Sequence, residues 1–186
     1  MSLCGCVSTT SPETIKVQPQ LEVSANKVGN NLPVAVVVIN TLPITGVIGT
    51  RMNFDDSNPP IIVDSDITQH VQTATEKALK KLGFDPVTQG ASRKLLIDIK
   101  SLDYKVKSAE ASHLLKTHVP LEISCTLIVT VQSANQTLYR QYHSTLTDTP
   151  ESTPSTTTDS QMINQVVSAT LNKMINDPKI TQLLAQ

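Results

Sequence analysis

Val119-Pro120-Leu121-Glu122-Ile123-Ser124-Cys125-Thr126-Leu127-Ile128-Val129-Thr130-Val131-Gln132 places Val119, Leu121, Ile123, Cys125, Leu127, Val129 and Val131 on one parity and a mostly polar set on the other. Successive side chains of a strand point to opposite faces, so this run is a strand with one buried face. Ser133 to Gln136 makes a tight reversal into Thr137 to Thr147, where Leu138, Tyr142 and Leu146 share a parity. The two runs therefore form an antiparallel hairpin.

Upstream, Leu95, Ile97 and Ile99 occupy one parity while Leu102, Tyr104 and Val106 occupy the other. A single strand keeps its core face across this change only if a β-bulge near Ser101 inserts an extra residue. Val34 to Ile39 is β-branched almost throughout, the pattern of a central strand covered on both faces. Thr41 to Pro60, with Pro43, Gly46, Gly49 and the cluster from Asp55 to Pro60, reads mostly as loop, with short extensions near Val47-Ile48 and Ile61 to Val63.

Two long helices follow from spacing. Asp66 with Gln69 offers a capping box, and Ile67, Val71, Ala74, Ala78 and Leu82 recur on one stripe that Gly83 ends. Thr158 with Gln161 offers a second box ahead of Ile163, Val166, Val167, Thr170, Leu171 and Met174. A short last helix starts at Pro178, a residue suited to the first helical turn. The expected fold is α+β, in the order β-α-β-β-β-α plus the short C-terminal helix. It has a four-stranded, mostly antiparallel mixed sheet with both long helices on one face.

Residues 32–186 are expected to form the single domain, and 1–31 an N-terminal tether. Val7 to Asn31 is polar and broken by Pro12, Pro19 and Gly29, and such a segment has an end-to-end distance of roughly 30 Å. The alternative is that Thr14 to Val17 adds an edge strand. No run approaches the roughly 20 apolar residues of a membrane span. Met1 to Leu3 cannot supply the n-region and h-region of a signal peptide, so an exported form would have lost its leader.

With 15 Lys+Arg against 16 Asp+Glu and no basic run, nucleic acid is not an expected partner. The absence of Trp and the presence of only two Phe and three Tyr leave little for stacking platforms, and the core must be aliphatic. No nucleophile elbow, phosphate-cradling loop, dinucleotide fingerprint or metal-binding helix is present in the sequence. Neither a catalytic site nor a cofactor is expected. His70, His113, His118 and His143 are dispersed, without a local thiol or carboxylate cluster to complete a metal site. Asp55 and Asp56 beside Asn58-Pro59-Pro60 read as turn initiators. Tyr139, Gln141 and His143 project from the outer face of the hairpin, as solvated side chains or as a partner contact. Cys125 shares its parity with aliphatic residues and reads as core.

That leaves Leu3-Cys4-Gly5-Cys6. Cys4 and Cys6 are too close for an unstrained disulfide and lack further metal ligands. The stretch resembles the lipobox of bacterial lipoproteins, and by that resemblance Cys6 carries the lipid. Each buried acyl methylene contributes about 0.8 kcal/mol, so more than one chain makes a firm anchor.

Cys6 followed by Thr14-Ile15-Lys16-Val17 and Pro19, the valine-rich run at Val34, Ala78 to Gly83 with Phe84, Leu95 to Tyr104, and Tyr139 to Ser144 together resemble the YajG-like family of Gram-negative envelope lipoproteins. The resemblance covers nearly the whole chain and departs at Asn40 to Arg51. It implies a periplasm-facing lipoprotein without an established catalytic site. With Val7 rather than Asp after Cys6, the sorting rule of such lipoproteins points to the outer membrane. The expected role is a non-catalytic binding or accessory domain, held to the membrane by its N-terminal lipid and meeting an envelope protein partner. The alternatives are an auxiliary subunit of an envelope assembly or lipid-transport complex, and a cell-wall hydrolase.

Overall fold

The hairpin forms around which the chain is built: β7 (Leu121–Ser133) and β8 (Gln136–Asp148) pair antiparallel from Ser133↔Gln136 to Leu121↔Asp148. The computed structural model describes residues 12–24, 26–51, 58–107, 120–134, 136–149 and 155–186. Every second residue of β7 from Leu121 to Val131 is buried, as the alternation requires.

Along its other edge β7 pairs antiparallel with the 14-residue β6 (Arg93–Val106), and the register shifts between Ile99 and Ser101. This is the expected bulge: Leu95, Ile97 and Ile99 before it and Leu102 and Tyr104 after it are all buried. The extra residue also divides the far edge of β6. Before the bulge β6 takes β2 (Pro33–Asn40) as a parallel neighbour, and after it β3 (Val47–Thr50) pairs through Gly49↔Tyr104. A Cβ at residue 49 would run into the Tyr104 carbonyl, so glycine permits the second limb to join.

The expected four-stranded sheet is therefore corrected to an eight-stranded, curled mixed sheet. One limb continues from β3 through β4 (Pro60–Val63) to β1 (Glu13–Ile15), and the other from β2 to β5 (Asp85–Val87). The extra strands have only three or four residues each. Periodicity needs a longer run to register, and these strands exist because long-range neighbours supply their hydrogen bonds.

Among the described residues three helices cover it, one long and two shorter where two long and one short were expected: α1 (Ile67–Lys81), the long α2 (Thr156–Ile175) and α3 (Pro178–Leu184). α1 packs on β2 and β5, α2 on β7, β8 and β1, and α3 on β7. The stripe of α1 is centred on Ile67, Val71, Thr75, Ala78 and Leu79, and Gly83 ends it at φ +86. The capping boxes differ from expectation. Asp66 makes no side-chain cap bond, and α2 begins earlier, where Ser155 Oγ accepts from the Thr158 amide at 3.2 Å. β2 is covered on both faces only from Val34 to Val36, for Val37 and Ile39 are 43% and 41% exposed. The interior is aliphatic, and each fully buried Leu or Ile contributes roughly 1.5–3 kcal/mol.

Candidate functional site

The segment from Lys16 to Ser24, expected within the tether, lies against the domain. Ile15 and Val17 are fully buried, while Leu21 and Val23 pack against the core from its rim. The amides of Gln18, Gln20, Glu22 and Ser24 donate to Asn164 Oδ1 (2.5 Å), Ser168 Oγ (3.0 Å), Asn172 Oδ1 (2.8 Å) and Asn176 Oδ1 (2.8 Å). An extended chain presents alternate amides to one side, and residues four apart share a helix face, so the two periods mesh. Asn164 Nδ2 and Asn176 Nδ2 return hydrogen bonds to the Lys16 and Glu22 carbonyls at 3.2 and 2.8 Å. This strap gives the N-terminal segment a fixed exit, reinforced where Glu13 to Ile15 pairs parallel with Ile61 to Val63. Asn164, Ser168, Asn172 and Asn176 at a constant spacing of four carried the signal in the sequence. Reading α2 only for its apolar stripe missed it.

At the start of α2, Asp159 is fully buried. Its Oδ2 accepts from Arg51 Nε at 2.7 Å and from Arg51 Nη2, and its Oδ1 accepts from the Tyr104 hydroxyl at 3.0 Å. Burial, then the neighbouring Asp159 charge, pushes the Tyr104 hydroxyl upward from its ordinary value. A buried charge requires such partners. The cluster joins the end of β3 to β6 and α2. The Tyr142 hydroxyl likewise donates to Asp177 Oδ2 at 2.6 Å, and Asp177 Oδ1 caps α3 by accepting from the Lys179 amide at 2.8 Å. Both arrangements hold elements together.

Cys125 is buried, and desolvation pushes its thiol up to about 12, the state of a packing residue. His143 on the exposed face of β8 is paired to Thr126 Oγ1 (3.0 Å) and Thr145 Oγ1 (2.9 Å). His70 lies on α1 with Nδ1 4.0 Å from Asp64 Oδ2. Cys4, Cys6, Asp55, Asp56, His113 and His118 lie outside the described residues. Among the described residues, no three His, Cys, Asp or Glu side chains gather where a metal would sit, and no helix is long and apolar enough to cross a membrane.

The outer sheet face carries an apolar row. Val37, Leu96, Thr130 and Tyr139 are successive cross-strand neighbours, as are Ile39, Asp98, Ile128 and Gln141. Tyr139 is 70% exposed.

A family model described as an uncharacterized lipoprotein matches residues 19–185. Among solved structures, the chain is similar to a protein from Xanthomonas campestris (TM-score 0.54, 10% identity, covering 94% of this chain and 96% of that one). It is also similar to a neuraminyllactose-binding hemagglutinin homolog from Helicobacter pylori (TM-score 0.55, 8% identity, 92% and 97% covered). A minor lipoprotein from Acinetobacter baumannii aligns at TM-score 0.42 and 7% identity, over 83% and 91% of the two chains. For the Xanthomonas campestris and Helicobacter pylori proteins, at these identities, the likeness is one of fold alone. No curated protein matches the sequence.

Proposed function

The chain belongs to a family of uncharacterized lipoproteins, and on that premise we propose that it is an outer-membrane lipoprotein of the YajG-like kind, lipidated at Cys6, whose periplasm-facing domain is a non-catalytic binding or accessory module. The observation that carries this reading is the strap. The domain fixes its own N-terminal segment from Glu13 to Ser24 through strand pairing and the ladder on α2. A load applied at Cys6 is thereby delivered to the sheet and the helix layer. From Cys6 to Glu13 the chain reaches at most roughly 25 Å. The domain stands next to the membrane surface, closer than a free tether to residue 31 would hold it.

The test is metabolic labelling of the full-length protein with a fatty acid, together with outer-membrane fractionation. Label and membrane association disappear in Cys6→Ser. Label that persists overturns the assignment of Cys6, and label with inner-membrane fractionation overturns the location.

A second reading, an auxiliary subunit of an envelope assembly or lipid-transport complex, is favoured by the exposed apolar residues Val37, Ile39 and Tyr139 on the outer sheet face. A photocrosslinker at residue 37 or 139 then traps one stoichiometric envelope protein in intact cells. Dispersed products, or none, count against it.

A further inference from the structure

The strap satisfies only one of its two edges. The amides of Gln18, Gln20, Glu22 and Ser24 all turn toward α2. In an extended chain the odd-numbered main-chain groups then face the other way, toward α1. No hydrogen bond joins the main-chain groups of Val17, Pro19, Leu21 or Val23 to another described residue. On that side, between the strap and α1, lies a groove of about 440 Å³. Its walls include Gln18 to Leu21 on the strap, and Ala74, Lys77, Ala78 and Lys81 on the helix, with His70 and Thr73 completing the helix side. None of the lining residues carries a carboxylate, and Lys77 and Lys81 are exposed one turn apart at its rim.

We propose that this groove is a peptide-binding site, in which an extended acidic segment of a partner protein adds as a strand to the free edge of the strap. The inference rests on reading the domain as a binding module and supplies the class of its ligand. Strand addition uses an exposed main-chain edge for affinity and flanking pockets for selectivity. The edge from Val17 to Val23 offers roughly 20 Å of extended backbone. Pro19 supplies no donor, so the pattern is asymmetric: the Leu21 amide donates, and the Pro19 and Leu21 carbonyls accept. Ala74 and Ala78 leave room for the incoming backbone. The lysines meet acidic side chains that alternate along the solvent side of the peptide. An acyl chain is a poorer occupant, because it has no groups to pair with the free main-chain edge of the strap or with Lys77 and Lys81 at the rim.

The test is a titration of the 15N-labelled full chain with a capped hexapeptide alternating valine and glutamate, followed by amide chemical shifts. Shifts are expected at Val17, Leu21, Val23, Ala74 and Ala78. The double variant K77Q/K81Q weakens binding about fivefold, as two exposed charge pairs predict. Ala74→Glu abolishes binding while the thermal midpoint stays near that of the parent chain. Methylating the peptide nitrogens on its bonding edge also abolishes binding, whereas methylating those on the opposite edge does not. Three results overturn the proposal: no shifts at millimolar peptide, equal binding of the matching valine–lysine peptide, or shifts confined to the outer edge of β8. Phosphatidylglycerol vesicles that move these amides when the peptide does not would assign the groove to lipid instead. All of these readouts are independent of lipidation, so failure here leaves the Cys6 assignment standing and failure there leaves the groove untouched.

Discussion

Replacing Asn172 and Asn176 with alanine removes the two rungs at the C-terminal end of the strap. Three hydrogen bonds to the strap go, the Glu22 amide to Asn172, the Ser24 amide to Asn176, and Asn176 Nδ2 to the Glu22 carbonyl, each 2.8 Å long; the fourth, Asn176 Nδ2 to the Asn172 carbonyl at 3.0 Å, is local to the last turn, where water takes its place on the carbonyl. At about 1 kcal/mol apiece the loss is about 3 kcal/mol. Alanine returns about 0.7 kcal/mol through helix propensity, and only at Asn172, because Asn176 is the C-cap of α2. The net cost is about 2 kcal/mol, or roughly 4–8 °C in thermal midpoint for a chain of this size. The released groups gain water, which places the result toward the lower end. The more specific readout is amide hydrogen exchange. Glu22 and Ser24 are protected in the parent chain and exchange rapidly in the variant, whereas β7 amides such as those of Ile123 and Leu127 keep protection set by global stability. If Glu22 and Ser24 exchange as fast in the parent as in the variant, the strap is not held by these side chains. A load at Cys6 is then not passed to α2 through the strap.

Asp159→Asn removes the carboxylate charge that pairs with the nearly buried Arg51 guanidinium and costs about 3–5 kcal/mol in urea unfolding, with an unchanged m-value. A cost below 1 kcal/mol would refute the ion-pair account. Alkali provides an independent check through Cys125, whose thiol is pushed up to about 12 in the fold, and Tyr104, whose hydroxyl is also raised. Both groups are protonated in either state at neutral pH, where their contribution is complete. As pH rises past their ordinary values the unfolded chain ionises first, and stability falls by about 1.4 kcal/mol per pH unit for each group so trapped. Between about pH 9 and 12 the urea midpoint of the parent therefore falls with pH more steeply than that of Cys125→Ala; parallel slopes would show that the thiol is not held protonated.

Local pattern determined much of the chain unaided. The unbroken alternation through Val131 forced the β7–β8 hairpin, the parity change between Ile99 and Leu102 forced the bulge, and the apolar stripes located the helices. Each of these rests on the geometric period of one continuous element, which is written in neighbouring residues. Tertiary structure decided the rest. Short extensions at Val47-Ile48 and Ile61 to Val63 were legible, and Thr14 to Val17 stood as an alternative edge strand, but these runs and Asp85 to Val87 are too short to show a period, and their place in the sheet is set by distant partners that complete their hydrogen bonds. The same holds at the N-terminus. Proline and polar residues between Pro12 and Asn31 read as a tether, because composition reports local preference and not whether a helix some 150 positions away carries matching side chains. Whether Asp159, Arg51 and Tyr104 meet also depends on contacts across three elements. Cys6 is proposed as an attachment point from its own neighbourhood in the sequence; where the domain would be held relative to that point is set by the packing of the strap on α2, a contact between remote segments that no single stretch of the chain encodes.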